Sequence, residues 1–365
     1  VTFGVTSGEN QRVDGARRRA AIYLVEINKK LAIAFACFVF ALIGVPLALH
    51  GVGWGVFWAH LLAGLGWRVV LSPPTDERIS RAGIAAMSAE TCFPVKVFHG
   101  HVHWLLERAE TLFLPNVITL PTPQGERGLL CPYVEGSQFI AKAALGIEES
   151  RILRPTLFLA EGPAEAARDL RRDLPRSRRP SRARMAALVS EAWGKQEEFA
   201  RSLERRGEEI LAATPTDEPV WLVSGRPYNL FDERCNLKIG RHLAALGVTA
   251  VPMDFLSLDR EDLTDFPGMY WGLGARILRA ARRVARTPNL FGVHLTNFGC
   301  GADSFIEHFY RHATEGKPSL VLELDEHSAV AGLLTRLEAY RPVVRSAMAE
   351  AAAAAHPDGV VGVRR

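Results

Sequence analysis

The chain has 365 residues, of which 48% are hydrophobic and 23% are charged, and 44 basic against 40 acidic side chains give a formal net charge of +4. This composition is typical of a globular protein with enough apolar residues for two or three cores, and it argues against intrinsic disorder. Much of the small positive excess lies between Arg168 and Arg184, so we expect no nucleic-acid partner for the protein as a whole.

An uncharged apolar segment lies near the N-terminus. Residues 31–49 (LAIAFACFVFALIGVPLAL) are numerous enough to cross a bilayer core. Five basic residues precede this segment and would keep the N-terminus in the cytoplasm: Arg17, Arg18, Arg19, Lys29 and Lys30. The same sequence allows a second interpretation, a buried strand around Ala41 to Val45 followed by a buried helix from about Trp54 to Leu65. Any membrane contact is expected only through residues 31–49.

After Trp67, short β-rich runs alternate with longer helical patterns, which is typical of parallel α/β units. The predicted strands cover residues 68–71, 111–114, 156–159, 220–223, 249–251, 290–295 and 319–323. The predicted helices cover residues 95–108, 137–144, 181–212, 236–246, 270–286, 304–313 and 329–340. The predicted fold class is therefore α/β, with mainly parallel sheets in stacked Rossmann-like modules, preceded by an apolar N-terminal helix.

Composition shifts divide this pattern into segments. A Pro- and Arg-rich stretch at 173–180 and a turn at 214–219 flank the long central helix. We predict an N-terminal basic and apolar segment (1–42), a first α/β module (43–150), a helical connector (151–218), a second α/β region (219–345) and a disordered tail (346–365).

Three of the five cysteines stand in settings where Pro or Gly predicts an irregular turn: Cys92 in ETCFP, Cys131 in LCPY and Cys300 in NFGCG. Three thiolates that meet in one cleft would hold an iron–sulfur cluster and leave one iron open. The absence of any CxxC spacing argues against a zinc ribbon, and the odd number of cysteines without a secretory signal favours a reducing, cytoplasmic compartment. The alternative for each cysteine is a buried, inert thiol.

The other two cysteines favour that alternative. Cys37 lies within the apolar run and is expected to be packing. Cys235 lies at a predicted helix start, where the helix dipole would stabilise a thiolate, although a buried thiol is the preferred interpretation. Whether Cys235 supplies a fourth ligand is left open.

A histidine run follows Cys92 closely. In His99, His101 and His103 the first and last share one helix face, the spacing that a metal pair needs, although no third ligand is near. We expect His99 and His101 to tune a cluster or transfer protons, and Lys96 to meet an anionic substrate or a negatively charged cluster. The alternative is that all four are ordinary helix residues, either solvated or satisfied in the core.

Other motifs are less informative. No glycine cluster has the spacing of a phosphate-binding loop, so nucleotide hydrolysis is unsupported. The segment 325–328 (DEHS) follows a predicted strand and suits either acid–base chemistry or helix capping. The basic run from Arg168 to Arg184 suits phosphate binding but lacks interleaved aromatics, so a solvated surface is the preferred interpretation.

Residues from about 43 to 340 resemble the uncharacterised domain that accompanies 2-hydroxyglutaryl-CoA dehydratase activases, within the acyl-CoA dehydratase/activase family. The resemblance rests on five blocks in order: CFPVK with HGH (92–96 and 99–101), CPY (131–133), GRPYN (225–229), NFGCGADS (297–304), and ELDEHS with TRLEA (323–328 and 335–339).

The resemblance implies stacked Rossmann-like modules and a 4Fe–4S cluster held by three cysteines, with an iron site for substrate or water. The matching cysteines here are Cys92, Cys131 and Cys300. It also implies a partner, a separate ATP-dependent activase of the sugar-kinase/actin type that injects a low-potential electron. Assembly as a homo- or heterodimer is left open.

The N-terminal 40 or so residues depart from that family. Residues 25–30 and 37–47 look like the entry of a membrane helix in the permease subunits of the lipopolysaccharide export transporter, and a hybrid chain is the plainest account. The leading hypothesis is therefore an iron–sulfur redox protein of the 2-hydroxyacyl-CoA dehydratase/activase type. The alternatives are a membrane-anchored transporter component and a non-catalytic α/β scaffold.

Overall fold

The computed structural model describes residues 43–45, 47–123 and 128–355. The predicted apolar N-terminal helix and the permease-like segment fall mainly within residues 1–42 and lie outside this part of the chain. The described chain is an α/β protein with parallel sheets in two modules, as the alternating pattern predicted.

The first module is built on a parallel sheet with the strand order β2-β1-β3-β5, and β3 and β5 are continued by a two-stranded parallel sheet, β4-β6. Its strands are β1 (Ile43–Val45), β2 (Val69–Leu71), β3 (Thr111–Phe113), β4 (Asn116–Thr119), β5 (Ile152–Leu153) and β6 (Thr156–Phe158). Its helices are α1 (Leu47–Gly64), α2 (Glu77–Ala86), α3 (Phe93–Leu106), α4 (Pro132–Glu135), α5 (Ser137–Leu145) and α6 (Pro163–Asp173).

The C-terminal part of the apolar segment forms a strand followed by a helix, as in the second of the two interpretations of this segment. β1 lies at the centre of the first sheet, between β2 and β3, and α1 follows it. A single membrane helix over residues 31–49 is therefore wrong for residues 43–45, because their backbone pairs with two strands. None of the helices in the described part of the chain combines the length and apolarity that a bilayer crossing requires.

The second module has a four-stranded parallel sheet with the order β10-β9-β7-β8. Its strands are β7 (Val220–Gly225), β8 (Thr249–Pro252), β9 (Leu290–Asn297) and β10 (Ser319–Leu324). The central strands β7 and β9 are buried along their whole length, as expected for a sheet covered on both faces. Its helices are α8 (Pro227–Phe231), α9 (Ile239–Ala245), α10 (Gly272–Arg286), α11 (Gly301–Ala313) and α12 (Val330–Ala355).

One 32-residue helix, α7 (Arg182–Ala213), connects the two modules. Its N-terminal half buries Met185, Leu188 and Val189 in the core of the first module. Its C-terminal half lies against the second module so closely that a Cβ atom on Gly207 would be 1.7 Å from the carbonyl oxygen of Phe255. The connector is thus packed on both modules.

Two segments differ from the predicted division of the chain. β5 and β6 lie beyond residue 150 yet pair with strands of the first module, so that module extends into the segment assigned to the connector. α12 continues to Ala355, whereas we placed an unstructured tail from residue 346. The Ala-rich sequence explains the difference, because alanine has the highest helix propensity.

The close crossing of α2 and α3 positions the N-terminal end of α3. A Cβ atom on Gly83 would lie 1.9 Å from the carbonyl oxygen of Lys96, and one on Gly100 would lie 1.9 Å from that of Ile79. Both positions therefore require glycine, because any larger residue would push the two helix backbones apart.

We expect Gly100→Ala to lower the free energy of unfolding by at least about 2 kcal/mol, since the methyl group has no space at this crossing. Urea denaturation measures the change. Gly194→Ala in α7 is the matched control, because a Cβ atom at Gly194 would meet nothing within 4 Å and the helix should gain up to about 1 kcal/mol. Equal stability of the Gly100 variant and the wild type would contradict the close crossing.

Candidate thiol site

Each of the three predicted ligand cysteines is the residue that precedes a helix. Cys92 is the N-cap of α3, Cys131 that of α4, and Cys300 that of α11. Pro94 and Pro132 stand in the first turns of α3 and α4, where proline is tolerated because the first amides have no partner within the helix. The Pro and Gly neighbours therefore mark helix starts, whereas the sequence predicted only an irregular turn at each cysteine.

The fold brings these three cysteines towards one another. Cys92 and Cys300 belong to the same buried apolar cluster, although they come from different modules, and half-buried Cys131 packs against it. The turn before Cys300 lies against Cys92, since a Cβ atom at Gly299 would be 4.0 Å from the Cys92 amide nitrogen. None of the three cysteines is in a disulfide.

Glycine is required in that turn for its backbone conformation. The Cys300 amide donates to the Asn297 carbonyl oxygen at 3.0 Å, and the third residue of the turn, Gly299, has φ = +74°. A side chain is disfavoured at this φ. The turn carries the chain directly from the end of β9 into α11 and places Cys300 at the carboxyl end of the second sheet.

Burial disfavours thiolates at this site. It raises the pKa of Cys92, and the charge of Cys131 adds to the rise, while the Val95 amide, the Thr91 hydroxyl and Arg226 oppose it. Burial raises the pKa of Cys300 to about 12, with a further contribution from Asp303 and opposition from Arg226. Deprotonation would therefore need a positive group to bind, which is how metal centres stabilise cysteine thiolates.

A buried ion pair lies beside the thiols. Arg226, the residue after β7, places its Nη2 2.8 Å from Oδ1 of Asp303 in the first turn of α11, and both side chains are at most 1% exposed. The Arg226 Nε also donates to Oδ1 at 2.9 Å, and the Thr296 hydroxyl donates to Oδ2 at 3.0 Å. Burial alone would raise the pKa of Asp303, but Arg226, His294 and Thr296 together lower it below its ordinary value.

Lys96 was predicted to meet an anionic substrate or cluster, and in the structure its contacts are two carboxylates of the protein. Its ammonium is buried and pairs with Glu326 of the loop after β10 and with Glu90, whose Oε2 lies 3.0 Å away. Burial lowers the pKa of Lys96, but the two carboxylates raise it by more, so the net pKa is above its ordinary value. The lysine is therefore a charged link between the modules. The adjacent carboxylate of Asp325 accepts from the Ser328 hydroxyl and the His327 amide, so these contacts lie within the loop before α12.

His99 and His101 face different surroundings, because residues two apart lie on nearly opposite sides of a helix. His99 is fully buried, with Nδ1 2.7 Å from the Val95 carbonyl oxygen, and its pKa is lowered by burial despite that carbonyl and the one of Ile140. His103 is exposed. The three histidines therefore do not form the metal pair that was considered.

His101 instead belongs to a hydrogen-bond chain between the modules. The Thr75 hydroxyl donates to Asp232, so the His101 Nε2, 2.9 Å from the Thr75 oxygen, donates to it. His101 therefore carries a proton on Nε2, and the buried Nδ1 has no hydrogen-bond partner among the described residues. Burial lowers the pKa of His101 to about 4, although Asp232 and Asp76 oppose that shift.

Cys235 lies on the other side of the α3 N-terminus. It is buried against Phe93 and Val97, and its backbone amide donates to Oδ1 of Asp232 at 3.0 Å. Burial raises the pKa of the Cys235 thiol well above its ordinary range, with further contributions from Asp232 and Cys92. These contacts favour the buried-thiol interpretation for Cys235.

The basic run is largely taken up by structural contacts. Arg172 pairs with Asp169, Arg179 donates to the Leu174 carbonyl oxygen, and Arg178 lies over the ring of Trp67. These contacts favour the surface interpretation of residues 168–184.

Several residues of this site were not identified from sequence reasoning. Arg226, Tyr228 and Asp303 lie in the GRPYN and NFGCGADS blocks, but no spacing rule assigned them a role. The signal that could have identified Arg226 and Asp303 is the presence of charged residues next to the carboxyl ends of strands, where α/β sheets form their sites.

The described residues contain no preformed site for a metal ion. In the described ranges, no three His, Cys, Asp or Glu side chains are placed to hold a single metal ion. Ligands of one ion lie within about 4 Å of one another, since metal–sulfur bonds are about 2.3 Å long. Three free thiols lie at helix starts beside a buried arginine. Their chemistry is that of the ligands of an iron–sulfur cluster.

Comparison with known proteins gives one family match. The family model described as the CoA enzyme activase uncharacterised domain matches residues 42–256, more than half of the chain. No curated protein sequence matches the chain.

Solved structures give only distant matches. A mutant of the Mn-bound periplasmic metal binding protein from Candidatus Liberibacter asiaticus is 10% identical, with a TM-score of 0.25 over 85% of this chain and 97% of that chain. The periplasmic zinc binding protein TroA from Treponema pallidum is 9% identical, with a TM-score of 0.27 over 85% of this chain and 99% of that chain. Scores this low carry no argument about fold or function.

We expect Asp303→Asn to lower the free energy of unfolding by about 3 kcal/mol or more, because it leaves the Arg226 charge buried without its partner. The paired variant Arg226→Met/Asp303→Leu should lose less, since it removes both charges together. Chemical denaturation of the wild type and both variants checks the order. A paired variant less stable than the single one would contradict the ion-pair argument.

The His101 chain predicts a pH dependence of stability. The pKa of His101 is 6.5 in the unfolded chain and about 4 in the folded protein. The contribution of neutral His101 to stability is therefore fully present above about pH 6.5 and is lost as the pH falls towards 4. The loss attributable to His101 is about 3 kcal/mol. Urea denaturation at pH 7.5 and 4.5 should show a smaller loss in His101→Gln than in the wild type, and an unchanged loss in the exposed control His103→Gln.

Proposed function

We propose, from the premise that the chain belongs to the family of the CoA enzyme activase uncharacterised domain, that it is an iron–sulfur redox component of the acyl-CoA dehydratase/activase type. The single observation that carries the proposal is the convergence of Cys92, Cys131 and Cys300. Each precedes a helix, Cys92 and Cys300 lie in one buried cluster, and Cys131 packs against that cluster.

The three residues fit the ligand role in their chemistry, and their shared cluster supports the proposal. They would hold a 4Fe–4S cluster or a related cluster through their thiolates, and three ligands leave one iron for substrate or water. Such a cluster, when bound, supplies one-electron transfer at a potential set by charge, hydrogen bonds and exposure. The buried Arg226 would offset part of the negative charge, and the two prolines and Gly299 fix the turns that hold the thiols.

The residues that we considered catalytic have a supporting role in this proposal. Lys96 and His101 hold the first module against the second through Glu326 and through Thr75 with Asp232. His99 is fully buried in the first module. These side chains keep Cys92 and Cys131 of one module beside Cys300 of the other, so their contribution is the geometry of the site.

An electron donor is part of the proposal. The sequence has no phosphate-binding loop with which this chain would use ATP itself. The proposed partner is a separate ATP-dependent activase of the sugar-kinase/actin type, as the family resemblance implies, and half-buried Cys131 gives the site its exposed side.

Anaerobic reconstitution with iron and sulfide tests the proposal. We expect a brown wild-type protein with about four irons per chain, and loss or weakening of iron binding when Cys92, Cys131 or Cys300 is changed singly to Ser. Visible absorption and iron counting measure the result, and circular dichroism checks folding.

Cys235→Ala is the matched control, because it removes a buried thiol from the same region and should leave the iron count unchanged. A colourless wild type, with all variants equally folded, would remove the redox function and leave a thiol-bearing α/β scaffold. Loss of iron in the Cys235 variant alone would contradict the assignment of the three ligands.

A further inference from the structure

The GRPYN segment contains a tyrosine, Tyr228, whose hydroxyl has no hydrogen-bond partner among the described residues. Gly225, at φ = +158°, allows close approach to the Leu295 carbonyl oxygen, and Arg226 pairs with Asp303. Asn229 donates its amide to the Leu295 carbonyl oxygen at 3.3 Å, which ties α8 to β9. Tyr228 makes no comparable bond.

Tyr228 lies at the thiol site although its helix belongs to the second module. It is 6% exposed and is part of the same buried cluster as Cys92 and Cys300. Those two thiols, the Arg226 cation and the Asp303 carboxylate all act on the charge of its phenol. Its ring therefore lies where the two modules bring their cysteines together.

The Tyr228 hydroxyl forms no hydrogen bond with any described residue, in contrast to the other buried tyrosines of this module. The Tyr340 hydroxyl donates to two backbone carbonyl oxygens, and that of Tyr310 accepts from Ser224. The ring of Tyr228 is buried, but its hydroxyl oxygen is not one of the enclosed polar atoms that lack a partner, so it is open to water or to a bound group. A group held by the neighbouring thiols is one such partner.

We propose that the Tyr228 hydroxyl donates a hydrogen bond to the sulfur-rich anion held by Cys92, Cys131 and Cys300, and so acts as a positioning residue that favours the reduced form of that anion. The inference rests on the proposed function. Its physical basis is that an added electron increases the negative charge on sulfur, which strengthens a hydrogen bond from a fixed donor.

A phenol suits this role for two reasons. Its O–H is protonated at neutral pH, and burial, with the charges of Cys92 and Cys300, keeps the pKa of Tyr228 well above its ordinary value despite Arg226. Its ring is fixed between packed elements, so the donor needs little reorganisation when the charge on sulfur changes. Arg226, in contrast, already directs its Nε towards Asp303.

The test compares wild type, Tyr228→Phe and the control Tyr310→Phe after anaerobic reconstitution. Iron content is counted, and the reduction potential is measured by a dye-mediated titration followed by electron paramagnetic resonance. We expect equal iron content in all three proteins, a more negative potential in the Tyr228 variant and an unchanged potential in the control. Tyr310 is the matched control because it is a buried tyrosine of the same module away from the thiols.

Incorporation of 3-fluorotyrosine at position 228 keeps the ring and strengthens the donor, so the potential should shift in the positive direction even if the Phe variant folds poorly. A potential in both variants equal to that of the wild type would overturn the role of Tyr228 while leaving the proposed function intact. A wild type that binds no iron would overturn both together.

Discussion

The buried Arg226–Asp303 ion pair is the interaction on which the geometry of the thiol site depends. It joins the start of α8, at the carboxyl end of β7, to the first turn of α11, at the carboxyl end of β9. β7 is followed by β8 on one side and has β9 on the other, so these strand ends form the point where the strand order reverses. Open α/β sheets place their ligand sites there. Because two buried charges are costly unless they are paired, this ion pair permits few alternative arrangements of the loop that carries Cys300.

The second constraint is the contact between modules. The side-chain links that cross it include Lys96 with Glu326, the Thr75 hydroxyl with Asp232, and Arg234 with Glu77. The first two connect α3, or a residue bonded to it, with loops of the second module. Since α3 begins at Cys92, the links that hold the modules together also fix the position of Cys92 relative to Cys300. The polar residues of this region are thus better explained by assembly of the site than by chemistry on a substrate.

The sequence predicted regular elements better than side-chain roles. All seven predicted strands and all seven predicted helices are present, because β-branched runs between turn residues and long apolar periods are strong local signals. The strands β4 and β5 and the helices α2, α4, α6 and α8 were not predicted, and β5 has only two residues and depends on β3 for its pairing. The roles of Lys96 and His101 were not predictable, since each depends on a residue more than 100 positions away, Glu326 and Asp232. The cysteine settings were informative because a helix start after Pro or Gly is a local property, whereas the proximity of the three cysteines is a property of the whole fold.

The division of the thiols between modules has a thermodynamic consequence. If Cys92 and Cys131 of one module and Cys300 of the other bind one group, the free energy of that binding is also free energy of module association. Burial raises the pKa of Cys92 and Cys300, so without a bound group these two residues are neutral thiols. Binding of a positively charged metal group must then release protons and tighten the contact between modules at the same time. The Lys96, Thr75 and Arg234 links lower the cost of that step because they hold the modules together before any group binds.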